Sequence, residues 1–270
     1  MSRKRSLFRL VAGYALRLVL ILLILFALQI TVLAFPQMLV RNKVESGSIR
    51  LYHDGDSYAD FEQLASAVDQ RLQGSGVYDS ARTDRVYLIH SADLYDFFVR
   101  LSLIRTDPQG FCLPFLGNSF VSVSRVKALG EGSGGLPKFS IWEGELAHTI
   151  AHEVAHQYVA DRIGRNLWRR LPHWKQEGMP EYIANIAAIR QDSLASLRNR
   201  VDLLNNDQAW NATQGWSNWA WDRIHYEAGL LVEFLIDIQG YTLEDIVADS
   251  VTDGGTRAAM LAWAAGHPAS

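Results

Sequence analysis

The sequence is almost free of cysteine, with Cys112 as its only thiol in 270 residues. One thiol cannot form an internal disulfide, which excludes a secreted domain built around disulfide bonds. We expect Cys112 to be a small buried apolar side chain. Internal repeats are not visible either. With 49% hydrophobic residues, the chain is long enough to bury a sizeable core in one domain or in two lobes beside a cleft.

The sequence has no excess of basic charge either, since it contains 26 Lys and Arg residues and 29 Asp and Glu residues. The first 40 residues hold five of the basic side chains and no acidic one. The remaining chain therefore keeps 21 basic and all 29 acidic residues, which is a formal charge of −8 with histidine neutral. This balance argues against nucleic acid as a partner.

Residues 18–40 form a run of 23 residues without a formal charge. At about 1.5 Å per residue, a helix of this length crosses a hydrocarbon layer of about 30 Å. We predict a cytoplasmic basic tail over 1–17, a transmembrane signal-anchor helix over 18–40 and an exported domain over 41–270. The positive-inside rule gives this orientation, with the domain on the periplasmic or outer side of the cell (inner) membrane.

Two alternatives to the membrane anchor are open. A cleavable signal peptide usually has an apolar core of about 7–15 residues, and no clear A-x-A-like cleavage site follows this longer run. A buried helix of a soluble domain does not explain the length of the run or its one-sided charge. We therefore favour an anchor that stays in the lipid bilayer.

Residues 152–156 read H-E-V-A-H, which matches the H-E-x-x-H pattern. The apolar spacing around them predicts a helix over 145–164. On such a helix His152 and His156 leave the same face, so both rings can bind one Zn²⁺ with Glu153 beside it. A catalytic zinc needs a third protein ligand, and Glu177 can supply it, while water fills the fourth position.

The two motifs together resemble the gluzincin branch of the zincin metallopeptidases, the thermolysin-like and aminopeptidase-like enzymes. After H-E-x-x-H, 20 residues intervene before the Glu of W-x-x-E-G-x-x-E-Y, and the resemblance covers roughly 141–240. It implies His152, His156 and Glu177 as zinc ligands and Glu181 as the carboxylate that orients the first histidine. Relatives more often carry a small residue at the position where this chain has Pro180. Proline is accepted in the first turn of a helix, so Pro180 predicts that a helix starts close to it.

The proposed parts predict hydrolysis of peptide bonds. A bound zinc lowers the pKa of its water to about 7, and Glu153 takes up the proton as general base and passes it to the leaving amine. The tetrahedral intermediate needs a hydrogen-bond donor, which related enzymes supply as Tyr or His from a later helix. We expect Tyr226 in this role, with His225 as the less favoured candidate. The alternative is that Tyr226 is a core aromatic residue.

The other histidines have weaker signals. His148 lies four residues before His152, and we favour a hydrogen-bonded histidine on the flank of the helix over a residue of the cleft. We expect His173 to line a loop.

Four tryptophans lie close together in the sequence: Trp210, Trp216, Trp219 and Trp221. They could wall a pocket, touch the bilayer or clamp a loop onto the C-terminal lobe, and we favour the last, structural role.

The remaining sequence predicts mixed helices and strands. Asn118–Arg125 alternates like a half-buried strand, which in the resembling enzymes forms the edge of the cleft and pairs with substrate. Gly130–Gly135 predicts a flexible loop, or a lid over the cleft. Further predicted elements are a helix over 58–72 capped by Ser57, a strand over 85–90, a helix capped by Ser91, and helices over 191–204, 225–238, after Thr242 and over 258–265.

We therefore predict an α+β fold with a small sheet lobe, the zinc helix at the cleft floor and a helical C-terminal lobe, after one transmembrane helix. The predicted function is that of a zinc metallopeptidase with one Zn²⁺ and a protein or peptide substrate. A membrane-anchored scaffold or binding module that keeps zinc is the alternative, and Glu153 favours the enzyme, because binding zinc does not require it. Intramembrane proteolysis is rejected, since the motif helix contains charged residues and no second long apolar span exists.

Overall fold

The structure is a computed structural model that describes residues 2–55, 61–106, 108–126, 146–191, 197–208, 210 and 219–267. It begins with helix α1 (Ser2–Ala34). Within α1, Gly13–Ala34 is long and apolar enough to cross a membrane, a property that signal sequences and buried core helices also have. The structure therefore contains the apolar helix that the sequence predicts.

The C-terminal boundary of the predicted span was wrong. Helix α1 ends at Ala34, and a short 3-10 turn (Pro36–Met38) follows. Phe35 precedes Pro36, and the residue before a proline is disfavoured in an α-helix. Val40, the predicted end of the span, is fully buried in the core of the folded domain. Val40 thus packs on the domain, whereas Met38 and Leu39 before it are exposed.

The N-terminal half of the domain contains a five-stranded sheet. Its strands are β1 (Asn42–Ser46), β2 (Ile49–His53), β3 (Asp84–Ile89), β4 (Gly110–Leu113) and β5 (Asn118–Ser122). The order across the sheet is β1-β2-β3-β5-β4. Strands β2, β3 and β5 run parallel, and β1 and β4 pair antiparallel to their neighbours at the two edges. The sheet is therefore mixed.

Strand β3 confirms the strand predicted over 85–90, shifted by one residue. The strand predicted over 118–125 is shorter, because residues 123–126 form a helical turn. Its expected half-buried position at the edge was wrong: β5 pairs on both sides, and all its residues are buried. The edge strand on that side is β4, which the sequence did not reveal.

Helices cover both faces of the sheet. Helices α2 (Phe61–Gln73) and α3 (Ala92–Leu101) follow the predictions, and the Ser91 hydroxyl accepts a hydrogen bond from the Leu94 N–H at 3.3 Å. The predicted cap Ser57 lies outside the described residues. On α3, Tyr95 and Phe98 are buried, whereas Phe97 is 42% exposed.

Helix α4 (Leu146–Ile163) carries the H-E-x-x-H residues, followed by the short α5 (Arg165–Trp168) and by α6 (His173–Gln191). Helix α6 begins well before Pro180, so the prediction that the helix starts near this proline was wrong. Pro180 lies in its interior, where it cannot donate a hydrogen bond to the carbonyl of Gln176. Burial of the neighbouring Met179 helps to hold this turn.

The described part of the C-terminal half also contains the helices α7 (Leu197–Asn205), α8 (Trp219–Glu233), α9 (Leu243–Ile246) and α10 (Asp253–Gly266). Helix α8 begins earlier than the predicted residue 225 and continues as a π-helical turn, Phe234–Ile238. Thr242 and Asp245 form the predicted capping box. Helix α7 starts later than predicted, because Gln191 still belongs to α6. Gly130–Gly135 lies outside the described residues.

Alternate residues of β3 divide the core between the faces of the sheet. Val86 and Leu88 pack with α2 and α4, while Tyr87 and Ile89 pack with α3 and the end of α1. A third cluster joins α7, α8 and α10. The architecture is α+β, as predicted, and it places α4 between the sheet and the C-terminal helices.

Candidate metal centre

Helix α4 holds the H-E-x-x-H side chains inside the protein rather than on an amphipathic surface. His152, Glu153 and His156 are each less than 10% exposed. The helix is in contact with α2 and the sheet on one side and with α6 on another. Because these neighbours pack against the motif helix, they restrict the positions of the two rings.

Three donor atoms converge at this point. The Nε2 atoms of His152 and His156 lie 3.1 Å apart. Glu177 Oε2 lies 3.2 Å from His152 Nε2 and 3.3 Å from His156 Nε2. Ligands of a tetrahedral zinc at about 2.0–2.1 Å are separated by about 3.3 Å, so the triangle matches three corners of such a tetrahedron. These residues therefore fit a zinc ion with one position left for a further ligand.

Glu181 contacts His152 at Nδ1, the ring nitrogen that does not belong to the triangle of donor atoms. Its Oε2 accepts a hydrogen bond from His152 Nδ1 at 2.8 Å, and its Oε1 lies 3.2 Å from His148 Nε2 and 3.1 Å from Asn185 Nδ2. A proton on Nδ1 leaves the lone pair of Nε2 free for a metal. Glu181 thus stands where the resemblance implied, and His148 is the hydrogen-bonded flank residue that the sequence favoured.

The charges in the centre differ from group to group. Burial opposes ionisation of Glu177, but His156 and His152 outweigh it and lower its pKa well below the usual value. Burial raises the pKa of Glu153, and the same histidines compensate only in part. His152 is buried as well, but its hydrogen bonds to Glu177 and Glu181 raise its pKa. Glu177 is therefore the ionised carboxylate of the centre, and Glu153 is the carboxylate with the greater proton affinity.

Edge strand β4 packs directly on Glu153. A Cβ atom at Gly110 would lie 2.8 Å from both Cγ and Oε1 of Glu153, so only glycine leaves this carboxylate in place. In β5, the Ser119 hydroxyl donates to the Glu153 carbonyl at 3.1 Å. Sequence reasoning missed Gly110. Glycine in a strand is a signal for close approach of another group, but β4 itself was not predicted.

The structure does not bring Tyr226 to the three donor atoms. Its ring packs against Trp210 in the C-terminal core, and its hydroxyl donates to the Arg200 carbonyl at 3.4 Å. The preceding residue, His225, turns toward the centre, with Nε2 3.7 Å from Glu177 Oε2. Tyr226 is thus the core aromatic residue of the alternative interpretation, because neighbouring residues on a helix face different directions.

His173 is not in a loop, contrary to the prediction, but opens α6, one turn before Glu177. Its Nε2 lies 3.9 Å from Glu177 Oε1. His173, Glu177 and His225 form a second group whose donor atoms all lie within 4.8 Å of one another. No spacing in the sequence indicates this group, since His225 comes from a separate helix.

Two further residues with a predicted role, Cys112 and Trp210, differ in their burial. Cys112 is only partly buried and lies in β4. Burial and the negative charges of Glu153 and Glu177 raise the pKa of its thiol. Trp210 is fully buried, which agrees with the structural role. Trp216 and the side chains of Trp219 and Trp221 lie outside the described residues.

Neither of two comparisons with known proteins finds a relative of this chain. The chain matches no protein-family model, and a search of curated proteins gives no match.

Proposed function

We propose that the protein is a zinc-dependent metallopeptidase of the gluzincin type, with a zincin-like domain. The observation that carries this proposal is the triangle formed by His152, His156 and Glu177, whose sides of 3.1–3.3 Å suit a tetrahedral zinc. Glu153 lies on the same helix between the two histidines. Two imidazoles and one carboxylate leave a fourth position open, as a catalytic zinc requires and a purely structural zinc does not.

In this proposal a bound zinc supplies Lewis acidity, which polarises a carbonyl and lowers the pKa of water. Glu153 accepts the proton of the attacking water and delivers it to the departing amine. Its buried carboxylate suits this exchange, because burial raises its pKa above that of an exposed glutamate. Glu177 stays ionised beside the histidines. The opposite pKa shifts of two neighbouring carboxylates support the assignment of one as base and the other as ligand.

His225 replaces Tyr226 as our candidate donor to the developing oxyanion. It lies beside Glu177, whereas the Tyr226 hydroxyl lies against the Arg200 carbonyl. Burial lowers the pKa of His225, although Glu177 opposes this shift. A neutral imidazole can donate one N–H to an oxyanion.

We further propose that α1 anchors the domain in the cell (inner) membrane. The five basic residues before the apolar stretch and the absence of acidic ones support a cytoplasmic N-terminus. The catalytic domain would then act on protein or peptide substrates on the periplasmic or outer side. The competing function is an anchored binding module that keeps zinc without hydrolysis, and Glu153 is the residue that separates the two.

Hydrolysis of a denatured protein mixture by the purified full chain tests the function. The wild type should cleave it, lose activity to a chelator and regain it with zinc. Glu153→Gln should keep its zinc and lose activity by about a hundredfold or more. Glu62→Gln, an exposed change on α2, is the matched control and should behave like wild type. Zinc retained by an inactive wild type would support the binding module instead.

A further inference from the structure

We propose that His173, Glu177 and His225 form a second divalent-cation site, which shares Glu177 with the first. The donor atoms of these three residues lie within 4.8 Å of one another. Binding at this site stands independently of peptidase activity, whereas its effect on turnover rests on the proposed function. The site would be weaker than the first and would make excess zinc inhibitory.

The two oxygens of Glu177 point to different partners. Oε2 lies 3.2 Å and 3.3 Å from the Nε2 atoms of His152 and His156. Oε1 lies 3.9 Å from His173 Nε2, one turn earlier on α6. Oε1 is thus the Glu177 oxygen left for a second cation, next to His173, as in two-metal sites whose ions are about 3.5–4 Å apart.

His225 closes the second group from another helix. Its Nε2 lies 3.7 Å from Glu177 Oε2, and its ring stacks with that of His173 at a centroid distance of 6.1 Å. Because α6 packs closely on α8, the fold sets the distance between the two backbones that carry these side chains. A Cβ atom at Gly178 would lie 2.4 Å from the Ala228 carbonyl oxygen, which shows how near the two helices are.

The donor types select the kind of ion. Two imidazole nitrogens and a carboxylate oxygen suit zinc and similar transition metals, rather than calcium or magnesium. The 3.9 Å between His173 Nε2 and Glu177 Oε1 exceeds the roughly 3.3 Å between two ligands of a tetrahedral zinc, so the side chains must close in around the ion. His173 can do so because its side chain is 50% exposed. This adjustment makes the second site the weaker one.

Occupation of the second site would change turnover. An ion bound to His225 takes the nitrogen that our mechanism assigns to the oxyanion. It also draws electron density from Glu177, the shared ligand. Zinc in excess of one equivalent should therefore inhibit hydrolysis, while the first equivalent supports it.

Zinc titration of the metal-stripped full chain, followed by calorimetry and metal analysis, tests the site. Wild type should bind one ion tightly and a second ion at least about tenfold more weakly, and excess zinc should inhibit it. His173→Gln should bind only the tight ion, and excess zinc should not inhibit its hydrolysis of peptide. His267→Gln, which changes a histidine outside both groups, is the matched control and should bind two ions.

The outcomes separate the second site from the proposed function. A wild type that saturates with one ion, or a His173→Gln variant that still binds two, would overturn the second site even if peptide is cleaved. Two ions in wild type and one in the variant would support it even if no peptide is cleaved, and the proposed function would then fail alone.

Discussion

Glu153 and Glu177 carry the same carboxyl group, but their surroundings push their pKa values in opposite directions. Glu177 lies between two imidazole nitrogens, which lower its pKa despite burial. Glu153 is buried beside Gly110 of strand β4, and its pKa is raised. At the scale of single residues, these contacts make Glu177 the ionised carboxylate and Glu153 the one with the greater proton affinity, which is the division between ligand and base that we propose.

Gly110→Ala tests the placement of Glu153. The new Cβ would displace the Glu153 carboxylate, and the three heavy atoms nearest to it all belong to Glu153. We expect turnover to fall by about a hundredfold, as a displacement of about 1 Å can cause, with zinc affinity unchanged. Steady-state peptide hydrolysis and zinc competition measure the two effects. Gly76→Ala adds its Cβ to open space and is the control; equal turnover in both variants would contradict the placement.

Glu181→Ala tests the support of His152. Without the acceptor at 2.8 Å from Nδ1, the ring loses its fixed orientation. We expect zinc affinity to fall by about 10–100-fold, which is typical when such a partner of a ligand is removed. Competition with a chelating dye measures this change. Glu181→Gln keeps an acceptor and should lose less; an unchanged affinity in the Ala variant would exclude the orienting role.

At the scale of elements, the sequence predicted the helices better than the sheet. Helix α4 was predictable because its motif and apolar positions share one helical period. Strand β4 was not, because four residues, Gly110–Leu113, are too few for a clear alternation. Strand β5 alternates in sequence, but neighbours on both sides and both faces bury it completely. Its burial depends on tertiary contacts that one strand does not encode.

The candidate site was predictable to the extent that local spacing defines it. H-E-x-x-H and the motif around Glu177 identified the residues that form the triangle. His225 and Tyr226 are adjacent in sequence, so only the rotation of α8 decides which of them faces Glu177. That rotation follows from the burial of Tyr226 against Trp210, a tertiary contact that the sequence of α8 alone does not reveal.

The buried Arg200–Glu233 ion pair joins helices α7 and α8. Removal of one partner leaves a buried charge alone, so Arg200→Met should lower the free energy of unfolding by about 3–5 kcal/mol. The double variant Arg200→Met, Glu233→Leu removes both charges and should recover most of this loss. Chemical unfolding of the full chain in detergent measures the cycle. Strictly additive losses would contradict a coupled buried pair.

At the scale of the whole molecule, α1 is attached to the domain rather than hinged on it. Gln29 Nε2 donates to the Leu101 carbonyl at 2.6 Å, and Asn118 Nδ2 donates to the Leu33 carbonyl at 2.7 Å. Leu33 is buried with Phe98 and Phe120 in one core cluster. The direction of α1 is therefore coupled to that of the sheet and, through β4 and β5, to the candidate metal centre.

The orientation in the membrane is testable with terminal tags on the full chain in a bacterial host. The basic residues of 1–17 should stay in the cytoplasm, because transfer of several positive charges across the membrane is unfavourable. Protease added to spheroplasts should remove a C-terminal tag and spare an N-terminal one, with both removed after lysis as the control. Protection of the C-terminal tag in intact spheroplasts would contradict the proposed orientation.

Zinc X-ray absorption spectroscopy of the full chain with one equivalent of metal examines the three proposed ligands, two imidazoles and one carboxylate, at the metal itself. We expect four nitrogen or oxygen ligands at about 2.0–2.1 Å, with the scattering of two imidazole rings. The variant His156→Gln should lose the scattering of one ring. A zinc ion that dialyses away, or one that is bound without imidazole, would overturn the proposed centre.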